Sequence, residues 1–252
     1  MTAIMAGKVA LILGDSGEAG VQIAQGLADA GAWVGFAGPS SMSALVAETV
    51  DLITREGGHA ASTIIEPGNR ESAEKGVAAI AEALAPIDLV VLPVVDPGAL
   101  VERAFVDLDE AEWMRLCEAP LRAVRVGLQA AHAALRERGG RILLLVPSIA
   151  ITGAEGLAAY SAVGEGARSL AKAAARKWGA LGITINSLGL LPEQLCPGAQ
   201  RAHAEVRVPQ ALGHTPDLKT EVAPFIAMLA TAPAGIATGS TIMLDGGNLM
   251  TI

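Results

Sequence analysis

The feature that most constrains this chain is a regular alternation of short apolar runs with longer stretches of helical period. Val9 to Leu13 precedes Val21 to Ala30, Trp33 to Ala37 precedes Met42 to Glu56, and Ala60 to Ile65 precedes Arg70 to Leu84. The series continues with Leu89 to Val95, a helix from about Ala111 to Arg138, a strand Arg141 to Val146, a helix Ala158 to Leu181 and a strand Thr184 to Leu188. Glu221 to Ala230 reads as a last helix and Thr241 to Leu244 as a last strand. Strands separated by helices cannot pair as hairpins, so they lie parallel in a sheet with helices on both faces. No break in composition divides residues 1–252, and one three-layer α/β/α domain is expected.

Composition narrows the function classes. Hydrophobic residues make up 52% of the chain, yet no apolar run reaches the length of a membrane span, so this content belongs to a core. A net charge of −8 without any basic stripe excludes binding to a phosphate backbone, and neither nucleic acid nor membrane is an expected partner. Cys117 and Cys196 have neither metal-ligand spacing nor a disulfide framework, which suits a reducing cytoplasm. His59, His132, His203 and His214 share no pattern, and no metal is expected. The segment Leu190 to Pro216, with Pro192, Pro197, Pro209 and Pro216, follows the carboxyl end of a strand. It either covers a pocket there or is a surface excursion.

Several fragments occur in a fixed order: GDSGEAG from Gly14, GAWV from Gly31, Ile87-Asp88-Leu89-Val90-Val91, Glu112-Trp113, Gly140-Arg141-Ile142, Tyr160, Gly182-Ile183-Thr184-Ile185-Asn186, and GSTIMLDGG from Gly239. In this order and spacing they resemble the short-chain dehydrogenase/reductase family over essentially the whole chain. The resemblance implies a Rossmann-type doubly wound sheet, a nicotinamide dinucleotide and a catalytic tyrosine assisted by lysine, serine and asparagine.

Residue by residue, much of that constellation is missing. Gly14 and Gly20 take the first and third glycine places of the phosphate turn, while Glu18 takes the second and Gly17 stands one residue early. A carboxylate about 4 Å from a phosphate charge is repelled by roughly 4 kcal/mol at an effective dielectric of about 20, so Glu18 is expected to block the pyrophosphate. After the second strand, Ala37-Gly38-Pro39-Ser40 offers neither an acid for a ribose hydroxyl nor an arginine for a 2′-phosphate. Where the family has Asn-Asn-Ala-Gly, this chain has Leu92-Pro93-Val94-Val95, bulky residues that crowd a cofactor.

Tyr160 matches the family's tyrosine, but the lysine position four residues later is Gly164, and Lys172 lies too far down the same helix to substitute. The asparagine position is Pro120, which has no amide side chain and no backbone donor. Ser148 stands twelve residues before Tyr160 where the usual thirteen would fall on Pro147. Tyr160, Ser148, Gly14 and Gly20 are thus expected to be vestigial, with no cofactor bound by this chain.

The resemblance then implies a non-catalytic subunit that assembles with an active paralogue carrying NAD, as an α2β2 heterotetramer, in the manner of heteromeric hydroxyacyl-CoA dehydrogenases of aromatic degradation. An enzyme with another chemistry or an atypical NAD(P)-dependent oxidoreductase, and a homo-oligomeric metabolite-binding protein, remain as alternatives. Family members pair through the Trp113 and Tyr160 helices, and the second of these is rich in small residues, among them Ala158, Ala159, Ala162, Gly164, Gly166, Ala167 and Ala171. The two glycines are expected to serve that contact between chains.

Overall fold

A computed structural model describes residues 3–94, 100–196 and 209–250, apart from the side chains of Ala232 and Ala234. Val95, Pro197 and His203 lie outside the described residues. The first half alternates β1 (Val9–Leu13), α1 (Gly17–Asp29), β2 (Trp33–Gly38), α2 (Ser43–Arg55), β3 (Ala60–Ile64), α3 (Arg70–Ala83) and β4 (Leu89–Pro93). The second half runs α4 (Glu110–Trp113), α5 (Ala119–Leu135), β5 (Gly140–Pro147), α6 (Ile149–Thr152), α7 (Ala158–Trp178), β6 (Ile183–Leu190), α8 (Pro192–Leu195), α9 (Ala223–Leu229) and β7 (Thr241–Met243).

The seven strands form one sheet in the order β3-β2-β1-β4-β5-β6-β7, and every pair is parallel. Helices α1, α2 and α9 cover one face, and α3, α5 and α7 the other. Central strands are therefore buried on both sides, which is why β1 reads VALIL and β4 reads LVVLP with no polar alternation. The register is held at the amino ends by Asp88, whose carboxylate accepts from Lys8 Nζ at 2.9 Å and from the Val9 amide at 3.0 Å. At the other side Asn186 ties β6 to the approach to β7, donating to the Ala237 carbonyl and accepting from the Ser240 amide.

The helix expected from Ala111 to Arg138 is broken by a π-helical turn, Met114–Glu118. The cause is Pro120. Its ring collides with the carbonyl four residues back in a regular α-helix, and a wider turn removes that collision. The same arrangement recurs at Leu218–Val222, two residues before Pro224, where Asp217 caps the turn by accepting from the Lys219 and Thr220 amides.

Candidate functional site

The chain leaves β1 in one direction for β2 and β3 and in the other for β4 to β7, so a crevice opens between the carboxyl ends of β1 and β4. Its first wall is the β1–α1 turn. Gly14 (φ +106°) and Gly17 (φ +50°) adopt left-handed backbone that other residues avoid, and Gly17 begins α1. Gly20 meets a different demand: a Cβ there would lie 2.1 Å from the Ser16 side chain, so glycine seats the helix on the turn. Glu18 falls in the first turn of α1 and is exposed, where a carboxylate favours the positive end of the helix dipole. Its charge is solvated, and at about 4 Å in water a charge pair is worth only about 1 kcal/mol.

Met42, which follows β2 in the turn Ser40–Met42, packs on the same turn. Its sulfur lies 3.2 Å from the Ser16 amide nitrogen, which donates to it, and Met42 and Ser16 are 6% and 0% exposed. A side chain on Gly38 would stand 3.0 Å from the Gly14 carbonyl oxygen and 3.6 Å from the same sulfur. The end of β2 and the phosphate turn are thus packed against each other.

At the other wall, Tyr160 lies in the first turn of α7 and is 2% exposed, within the hydrophobic core. Ser148, also 2% exposed, follows β5 and precedes α6, and its amide donates to the Leu190 carbonyl at 2.7 Å. Because α6 packs on α7, these two residues share one corner of the fold. Gly164 is buried in that corner, and a Cβ on it would lie 2.5 Å from Ala150 Cβ and 3.2 Å from Pro147 Cγ. Pro120 stands at the start of α5 and lines the crevice.

The small residues of α7 have partners inside the chain. Ala167 and Ala171 are 0% and 2% exposed, Gly164 faces α6, and a Cβ on Gly166 would meet Leu121 of α5 at 2.7 Å. Both glycines thus have close packing partners within the chain. Ala158 and Ala162 remain half-buried.

Between the walls lies a cavity of about 540 Å³ counting its open mouth, bounded by the ends of β1 and β4, the residues after β3, and α5. Leu92 and Val94, each 3% exposed, line it, and a Cβ on Gly127 of α5 would reach Leu92 at 2.8 Å. The part of the proline-rich segment that is described is tied at both ends by Gln194, which accepts from the Leu191 amide and donates to the Pro216 carbonyl at 2.8 Å. Within it, His214 Nε2 is 3.0 Å from Glu221 and Nδ1 is 3.2 Å from the Leu212 carbonyl. The Glu221 hydrogen bond, then the Leu212 one, hold the histidine above its ordinary pKa. Among the described residues no cluster suited to a metal ion occurs, and no helix is long and apolar enough to cross a membrane.

Sequence reasoning did not identify Met42, Ala150 or Gln194. None has a local signal, since each acts on residues distant in the chain.

Comparison with known proteins agrees with this architecture. The family model described as enoyl-(acyl carrier protein) reductase matches residues 17–248. Nodulation protein G of Rhizobium sp. (strain N33) is 28% identical over 251 residues, covering 98% of each chain. A 3-oxoacyl-(acyl-carrier-protein) reductase of Vibrio cholerae is 28% identical, covering 97% of this chain and 98% of its own. The trans-4-hydroxycyclohexanecarboxylate dehydrogenase of Sinomonas cyclohexanicum is 28% identical, covering 96% and 93%. Among solved structures, a dehydrogenase/reductase from Sinorhizobium meliloti 1021 superposes with a TM-score of 0.82 at 26% identity, covering 99% of this chain and 98% of that one. A short-chain dehydrogenase/reductase from Serratia marcescens gives 0.81 at 25% identity, with 96% and 98% covered. The order of strands, the position of the crevice and these full-length similarities agree: the chain belongs to the short-chain dehydrogenase/reductase family.

Proposed function

We propose that this chain is a catalytically inactive member of its family, a subunit of a heteromeric NAD-dependent alcohol or hydroxyacyl-CoA dehydrogenase in which an active paralogue holds the cofactor. The observation that carries the reading is the contact between Gly164 and Ala150. At the lysine position there is no charge, and Ala150 fills the space its side chain would leave by. In the family the lysine lowers the phenol's pKa for proton exchange, and Gly164 supplies no such charge in this chain.

The crevice also lacks the fit a dinucleotide needs. Ser16 directs its amide at Met42, the end of β2 has no ribose handle, Pro120 brings no amide, and Glu18 adds a like charge beside the turn. We assign Gly14, Gly17 and Gly20 a purely structural role, shaping the turn and seating α1. NAD and NADP are then not ligands of this chain, and the family's reductase and dehydrogenase activities belong to relatives and to the proposed partner.

An α2β2 arrangement through α5 and α7 is our reading of the assembly. Exposed apolar side chains on the segment leading into those helices support a partner: Phe105 is 64% exposed, Val106 89% and Met114 43%, and Phe105 meets Trp113 edge-on at 6.1 Å. Cys117 and Cys196 are buried and form no disulfide, which fits a cytoplasmic setting. A finer assignment, to the non-catalytic subunit of the hydroxybenzylsuccinyl-CoA dehydrogenase of anaerobic toluene degradation, rests on Glu18, Pro120 and Gly164 together.

A second reading, an atypical NAD(P)-dependent oxidoreductase, is favoured by the retained corner of Tyr160 and Ser148. Co-expression with an intact short-chain dehydrogenase/reductase paralogue separates the two. In our reading a complex forms, it turns over NAD, and Tyr160→Phe in this chain leaves both unchanged. Loss of activity in an assembled Tyr160→Phe complex would establish chemistry in this chain.

A further inference from the structure

We draw no further inference here: the strongest candidate, the exposed apolar patch of Phe105, Val106 and Met114 on the segment leading into α5, belongs to the partner surface already described, and nothing in the structure shows what covers it.

Discussion

A Cβ placed on Gly164 would stand 2.5 Å from Ala150 Cβ, so α7 and α6 touch at the position where the family carries its lysine. The missing lysine is therefore not an open place that a single substitution could refill. Real Cβ atoms do not approach so closely, and Ala150 has no flexible end to move aside.

Substitutions at the two glycines of α7 are expected to diverge. Alanine is worth about 1 kcal/mol more than glycine in a helix interior, while overpacking costs about 1–3 kcal/mol. At Gly164 the obstacle is a rigid methyl and a proline ring, so Gly164→Ala should lose about 1 kcal/mol in urea unfolding. At Gly166 the obstacle is the end of Leu121, a flexible side chain, so Gly166→Ala should be near neutral. Gly164→Lys should unfold earlier than either and show no NAD(P)H turnover, since one restored group does not rebuild a set that acts together.

Tryptophan scanning separates core from interface on the same helix. Ala167 is 0% exposed, so Ala167→Trp should fail to fold, visible as lost circular dichroism. Ala162 is half-buried, and Ala162→Trp should remain folded while light scattering of the co-expressed complex reports a smaller species. An Ala162→Trp complex of unchanged mass would place the contact elsewhere.

The strap carrying His214 should respond to pH. His214 lies above its ordinary value because protonation lets both ring nitrogens donate, first to Glu221 and then to Leu212. Its contribution is complete below about pH 6.5, the unfolded value, and is lost as pH rises through the folded one. Glu221 lies below its ordinary value, chiefly through the Asp217 amide and then His214, so its contribution is present above about pH 4.5. It is lost as pH falls through its folded pKa. The amide of Leu212, bonded to the Gly246 carbonyl, should be most protected between those limits once intrinsic exchange is removed, and His214→Gln should flatten the alkaline side. Protection that increases above pH 7 would contradict the assignment.

Most strands and helices were legible because period and composition report burial directly. VALIL at β1 is buried at every residue, and the expected strand matches the observed Val9–Leu13. The π turns before Pro120 and Pro224 could have been anticipated from proline chemistry, although periodicity alone gave a continuous helix. What was not legible was packing between distant segments. The packing of Ala150 and Leu121 against the glycines of α7, and of Met42 against Ser16, joins residues remote in sequence and carries no motif. The replaced groups at Gly164, Pro120 and after β2 could be located by alignment, but only the fold shows which of their places have been filled.

Calorimetric titration of the isolated, full-length chain with NAD and then NADP tests the central claim most directly. With Met42 on the Ser16 amide, no ribose handle and no lysine, saturable heat should be absent up to millimolar cofactor. Binding of either cofactor at micromolar concentration would contradict the account and return the chain to the working dehydrogenases of its family.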